Sequence, residues 1–339
     1  MPEIGIVTNP RAAGGKNAGR TRALRDAVGR RGIVVETRDV ADLPAVVERF
    51  EAKGCRYWVA DGGDGTLGWL LSTWDARRGH PAGETSPDAP IFLPTRGGSI
   101  DFVARKLGIR TRGPALVARL RTSLEAGRPP PTASLRALRL RATAADGTSL
   151  VRLGFAAALC GIAQRFFDVL YEHRPVRPRH VAEILALGAL GPPVLSLRPL
   201  RAVAPAPWRA KIQHLYTPTH GTVTVDGTTL PFTRLTSVQI GSIDIDLGGV
   251  VRVFRLAKEG TALHAQVSGL SPWGIAGNLP NVVLGTPLWG RNVVERTCRT
   301  LDLVPHPPET VDPVVDGEIF RAAHSVHVTL GPRIRFALP

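Results

Sequence analysis

Two aspartates and three glycines fall within six residues, Asp61-Gly62-Gly63-Asp64-Gly65-Thr66. Side chains that small leave backbone N–H groups bare. A helix beginning just after them turns its positive end toward the same place. That combination suits a phosphate. A carboxylate beside phosphate is repulsive unless a cation lies between them or the carboxylate handles a proton. Asp64 inside the loop therefore points to a Mg2+–nucleotide site. Two further turns have the same character, Asn9-Pro10-Arg11-Ala12-Ala13-Gly14-Gly15 and Arg96-Gly97-Gly98-Ser99. Near the C-terminus stands Asp316-Gly317-Glu318, whose Asp-Gly pair is by itself a signal for a two-residue hairpin.

The elements around these turns follow from apolar spacing. Residues 57–60 read as a strand, and Leu67, Trp69, Leu70 and Leu71 resume at helical spacing after the loop. Strands are expected at 4–7, 33–37 and 90–94, and helices at 17–30, 43–53, 103–107 and 116–126. Such alternation implies a parallel sheet, with ligands at the carboxyl ends of its strands. Asn9, Thr37 and Asp64 all fall at those ends. After Arg128-Pro129-Pro130-Pro131 the pattern changes to strand-type alternation at 135–140, 150–155, 221–225, 236–240, 318–320 and 326–330. Asp146-Gly147 and Asp226-Gly227 mark hairpins. One mostly helical stretch, 163–190, is broken by Pro175 and Pro178 and is expected to stop at Gly191-Pro192-Pro193. The expected fold class is α/β plus β. An α/β nucleotide domain covers 1–130, with 333–339 a tail able to return to it. A β-rich, sandwich-like substrate domain with a helical insertion covers 131–332.

Composition narrows the classes. The 339 residues suffice for two domains with real cores, and the formal charge of +15 favours anionic partners. Aromatic residues are few and not interleaved with the basic ones, so no nucleic-acid stacking platform is expected. Cys55, Cys160 and Cys298 lie far apart, without metal or redox spacing, which fits a reducing cytoplasm. The N-terminal sequence lacks a signal-peptide layout, and no apolar run is long enough to span a bilayer. Gly63, Gly65 and Gly68 also satisfy a dinucleotide fingerprint, but the acidic residue expected downstream falls in a stretch rich in Pro, Gly and Ser, 79–89. A Walker A loop is excluded, because Asn17 follows Gly15-Lys16 and Pro10 takes the upstream glycine position.

The 62–66 loop resembles the GGDGT signature of the diacylglycerol, sphingosine and NAD kinase superfamily, and the chain as a whole resembles its bacterial lipid kinases in order and spacing. The resemblance implies an NAD-kinase-like first domain and transfer of the ATP γ-phosphate to a hydroxyl of diacylglycerol or a related sphingoid or ceramide-type lipid. Carried over residue by residue, Asn9, Pro10, Arg11, Ala12 and Ala13 match the first nucleotide-binding turn. Thr37 matches a nucleotide contact, and Gly62, Gly63, Asp64, Gly65 and Thr66 match the phosphate loop. Gly97, Gly98 and Ser99 match a P-x-G-G-T-x-N element with departures: one extra residue after Pro94, Ser99 for Thr and Asp101 for Asn. Glu318 matches the glutamate of a D-G-E motif assigned as proton acceptor. Asp64 would hold Mg2+ through phosphate or water, or act as base if Glu318 is only structural. The relatives follow GDGT with x-N-E, where this chain has Leu67, Gly68 and Trp69. Their structural Mg2+ loop corresponds to Asp244-Ile245-Asp246-Leu247-Gly248-Gly249, with the acidic position shifted, leaving Asp246 as the candidate ligand. The implied partners are ATP, Mg2+ and a lipid at an anionic membrane surface, which places the chain in the cytoplasm, peripheral to the inner face of the membrane. No nucleic acid is expected, and a homodimer is left open. Two other readings stand beside this one: an NAD kinase, although Asn278 and Asn281 lack the following Glu of its N-E pair, and a degenerate kinase fold that senses nucleotide or lipid.

Overall fold

The computed structural model describes residues 3–10, 15, 17, 19–79, 88–98, 100–173, 176, 178–247, 251–257 and 260–339. Two compact units emerge: Met1–Ala137 with Arg152–Gly154 and Gly331–Pro339, and Leu138–Val151 with Phe155–Leu330.

In the first unit, β1 (Ile4–Thr8), β2 (Gly32–Glu36), β3 (Tyr57–Asp61) and β4 (Ile91–Pro94) pair in parallel in the order β2-β1-β3-β4. The last strand of the chain, Ser325–Ala337, joins in parallel beside β4, with Phe336 opposite Phe92. The connecting helices are α1 (Arg20–Val28), α2 (Leu43–Ala52), α3 (Asp64–Arg77), α4 (Phe102–Lys106) and α5 (Gly113–Glu125). Helices on both faces explain why β1 and β3 are buried at every position. Ile4, Ile6, Tyr57, Val59, Ile91 and Leu93 pack with Leu24 and Val28 of α1 and with Leu116 and Leu120 of α5. The alternate positions turn the other way. Trp58 meets Phe50 of α2 edge-on at 5.5 Å, and Phe92 meets Trp74 of α3 at 5.6 Å. α3 is also tied to the short piece Arg152–Gly154. Ser72 Oγ donates to Gly68 O at 2.6 Å and accepts from Leu153 N at 2.9 Å. The fully buried Arg152 lays its guanidinium 3.3 Å from the ring centre of Trp69.

The second unit contains a six-stranded antiparallel sheet, in the order 293–298, 263–268, 237–241, 156–161, 314–315, 318–319. A second antiparallel set places Thr300–Pro305 between Thr219–Val225 and the 326–329 part of the last strand. Strand Leu263–Ser268 is buried throughout, apolar at Leu263, Ala265 and Val267 and polar at His264, Gln266 and Ser268. On the polar face Glu295 accepts from Gln266 Nε2 and Leu288 N and faces His264 Nε2 at 3.2 Å, and Ser268 Oγ lies 3.3 Å from Thr236 Oγ1. The helices are α6 (Ile162–Tyr171), α7 (Pro178–Ser196), α8 (Arg198–Val203), α9 (Ala206–Tyr216) and α10 (Pro272–Leu284).

The α/β plus β class expected from the sequence is the one observed, with differences of detail. α7 does not stop at Gly191-Pro192-Pro193 but runs through both prolines to Ser196. Gly191 and Pro192 are buried there, and Leu197 N still reaches Pro193 O, so packing outweighs the lost N–H donors. The sequence reading named one helical stretch in this region. The structure adds α8, α9 and α10, the last carrying Pro280.

Candidate functional site

At the carboxyl end of the parallel sheet, β3 closes on Asp61, which is fully buried. Its carboxylate accepts from Thr8 Oγ1 and Thr95 Oγ1, each at 2.9 Å, and meets Arg20 Nη1 at 3.3 Å. Burying a carboxylate without such partners is costly. Asp61 thereby fixes the ends of β1 and β4 and the start of α1. The backbone continues the tie, with Asn9 N donating to Asp61 O at 3.1 Å and Thr37 N to Thr8 O at 3.0 Å. The sequence pattern assigns Asp61 no role, since its only signal is a carboxylate ending an apolar strand.

Beyond Asp61 the chain turns through Gly62 and Gly63 into α3. No side chain caps this 14-residue helix, so its first amides are offered to an outside acceptor. Gly97 N donates to Gly62 O at 3.1 Å, and the buried Asn17 Nδ2 donates to Gly97 O at 3.2 Å. The two glycine turns touch backbone to backbone. A Cβ on Gly63 would lie 3.0 Å from Gly98 Cα, and one on Gly98 would overlap Gly63 Cα. Here glycine is required by contact between turns, as well as by the approach of any anion.

Asp64 opens α3, and its two oxygens accept from Phe102 N at 3.0 Å and Val103 N at 3.2 Å. It therefore docks the start of α4 onto the start of α3. Asp101, at φ 53° and ψ 45°, accepts from Gly98 N at 2.8 Å. Asp and Asn both tolerate this left-handed conformation and both offer the acceptor, so Asp fits where the resembled pattern has Asn. Burial pushes the Asp101 carboxyl up, against the Gly98 amide and the charges of Arg96, Arg105 and Arg112. Asn9, Thr37, Gly62, Gly63, Asp64, Gly97 and Gly98 are thus brought to one end of the sheet. Pro10 follows Asn9 there, and Gly65 and Thr66 lie in the first turn of α3. Arg11, Ala12, Ala13 and Ser99 lie outside the described residues.

In the second unit, Asp316-Gly317 is a two-residue hairpin turn with φ 48° and 86°, and Val315 pairs with Glu318. The Asp316 carboxylate accepts from Phe155 N and Ala156 N, and Tyr171 Oη donates to Gly317 O at 2.6 Å. Asp226-Gly227 repeats the device, clamping Arg299 N and Thr300 N at 2.8 Å. Burial raises the Asp226 carboxyl, but those amides outweigh it and hold it below its ordinary value. Asp316 is thus a clamp, whereas Glu318 beside it is exposed. Asp246 sits on the ribbon Ile245–Leu247 opposite Arg252 of Val251–Val253, and Arg252 Nη2 pairs with Asp244 at 3.0 Å. No cluster of three or more His, Cys, Asp or Glu suited to a metal occurs among the described residues.

The fold is that of solved diacylglycerol kinase and NADH kinase structures. A Bacillus anthracis protein ascribed to the diacylglycerol kinases superposes with a TM-score of 0.62 at 15 % identity, over 99 % of this chain and 95 % of that one. A second structure, of a diacylglycerol kinase from that organism, gives 0.56 at 14 %, over 99 % and 97 %. Yeast NADH kinase complexed with NADH gives 0.50 at 11 %, over 99 % and 84 %. At such identities the likeness shows the fold alone. No family model matches the sequence. No curated protein matches it either.

Proposed function

We propose that the chain is an ATP-dependent lipid kinase that transfers the γ-phosphoryl group to a hydroxyl of diacylglycerol or a related sphingoid or ceramide-type lipid. The observation that carries this reading is the uncapped start of α3, locked to a second glycine turn whose Asp101 feels the charges of Arg96, Arg105 and Arg112, with Arg20 on Asp61. Amides and cations so arranged suit the β- and γ-phosphates of a nucleotide. Asn9, Pro10, Thr37, Gly62, Gly63, Gly65, Thr66, Gly97 and Gly98 are the proposed nucleotide contacts, joined by Arg11, Ala12, Ala13 and Ser99. The Asp64 oxygens accept from the Phe102 and Val103 amides at the start of α4, and Asp64 is the residue proposed to face the water shell of Mg2+. Bound Mg2+ would neutralise phosphate charge. Glu318, exposed beside the Asp316 clamp, is the proposed base. A lipid hydroxyl is a weak nucleophile near neutral pH, and a carboxylate within hydrogen-bond reach takes its proton as the new P–O bond forms. A membrane-peripheral place for the chain belongs to the same proposal. Among the described residues no helix is long and apolar enough to cross a membrane.

The NAD kinase reading finds less support. Asn278 is buried, donating to Gly274 O and Trp289 O and accepting from Trp289 N, so its amide is occupied within its own unit. The test is transfer of labelled phosphate from ATP to a lipid panel with NAD as a parallel acceptor. Lipid labelling lost in Glu318→Gln and Asp64→Asn is expected. Labelling that survives in both variants, or of NAD alone, rejects the proposal. Nucleotide binding without turnover favours the sensor.

A further inference from the structure

Three helices of the second unit are built for different jobs. α7 and α9 each bury a face: Ile184 and Leu187 of the first and Ile212, Leu215 and Tyr216 of the second join Val169, Leu170, Leu270 and Ile275 in one cluster. α8, between them, buries none of its residues. From Ser196 to Trp208 every residue is exposed except Ala204, Arg209 and beyond aside, and Ala204 is half-buried. All but Ser196, Arg198 and Arg201 in that stretch are Ala, Pro, Leu, Val or Trp. Leu197 is 47 % exposed, Leu200 41 %, Val203 78 % and Trp208 45 %. Such a run of exposed apolar side chains is unusual and marks a surface made to meet something.

The segment is held in shape. Leu197, Arg201, Ala204 and Arg209 donate backbone N–H to Pro193, Leu197, Leu200 and Pro205, and Arg209 Nη1 reaches Arg201 O at 3.3 Å. Pro199 and Pro207 fall in the first turns of α8 and α9, where proline fits a helix start.

Charge selects the partner. From 184 to 216 the sequence has no Asp or Glu, while it has Arg198, Arg201, Arg209 and Lys211. Lys211 is paired with Glu172 at 3.0 Å. A second copy presenting the same face would bring arginine against arginine. Nucleic acid would leave the leucines and valine unused. An anionic bilayer satisfies both properties: apolar side chains enter the headgroup–acyl boundary, Trp sits at that depth, and arginines meet lipid phosphates.

We propose that residues 196–208 dock the chain on an anionic membrane, with Leu197, Leu200, Val203 and Trp208 entering the lipid and Arg198 and Arg201 on headgroup phosphates. The inference deepens the lipid-kinase reading and rests on it for its purpose, but binding is measured without turnover. The full chain is floated with phosphatidylglycerol–phosphatidylcholine vesicles and with phosphatidylcholine vesicles. Binding to the anionic vesicles only, weakened by salt, is expected. Leu200→Glu with Val203→Glu, and separately Arg198→Glu with Arg201→Glu, should each lower it about tenfold or more. These residues are exposed, so thermal melts should stay at the parent value. Phosphorylation of a short-chain, water-soluble acceptor should also be unchanged. Variants that float like the parent overturn the proposal. So does a concentration-dependent dimer abolished by Leu200→Glu with Val203→Glu while flotation persists. If flotation behaves as expected and no acceptor is phosphorylated, the docking element stands and the kinase reading falls. If acceptors are phosphorylated and flotation ignores the variants, the reverse holds.

Discussion

A single carboxylate, Asp61, gathers groups that stand 53, 34 and 41 positions away in the chain: Thr8, Thr95 and Arg20. Its truncation in Asp61→Ala would strand a guanidinium and two hydroxyls around an empty, buried position. A loss of about 3–5 kcal/mol is expected from the urea midpoint, with Asp61→Asn losing less. The sequence made Asp64 conspicuous through its glycine neighbours. Asp61 stayed silent because its partners are distant and a strand-ending Asp reads like any other. His264 supplies a second test. Burial lowers its pKa below the ordinary 6.5, with Arg255 acting in the same direction and Glu295 opposing. The native state then binds fewer protons than the unfolded state, so this contribution is full above about 6.5 and is lost as pH falls through the depressed value. Urea midpoints measured from neutral pH downward should decline, and His264→Gln should flatten that decline.

At the scale of elements, strand, glycine turn and helix were legible at 57–74, because apolar period and glycine placement agree there. What the spacing could not reveal is that two such turns press together. Gly98→Ala drives a methyl into Gly63 Cα. It should destabilise by about 1–3 kcal/mol, as overpacking does, and weaken nucleotide binding measured by titration calorimetry. Gly108→Ala is the control: its φ is positive, at 71°, and nothing lies near its Cβ, so backbone strain of about 1–2 kcal/mol is expected without the binding defect. The Gly68-Trp69 departure also becomes intelligible at this scale. Gly68 O accepts from Ser72, and Trp69 carries the Arg152 guanidinium on its ring. The pairing of α3 with residues 152–154 lies about eighty positions apart in the chain (Ser72 to Leu153, 81), and no local pattern signals it. The prolines of α7 misled for the same reason, since tertiary burial outweighed a local stop signal.

Across the whole molecule, the net charge of +15 is readable from composition, whereas the bounds of the two units, with 152–154 and 331–339 joining residues 1–137, carry no local signal beyond the change of pattern after Pro131. Ile334, Phe336 and Ala337 are fully buried, and Leu338 N donates to Pro131 O at 2.9 Å. Removing 331–339 should uncover Phe92 and lower the urea midpoint reported by Trp58 and Trp74 fluorescence, through loss of buried apolar area. The late arrival of that strand has a consequence for biosynthesis. The sheet that begins with residue 4 cannot acquire its flanking strand until ribosomes have passed residue 331. The strands at 4–8, 32–36, 57–61 and 91–94 must therefore wait, with one edge open, until residues 331–337 have been made.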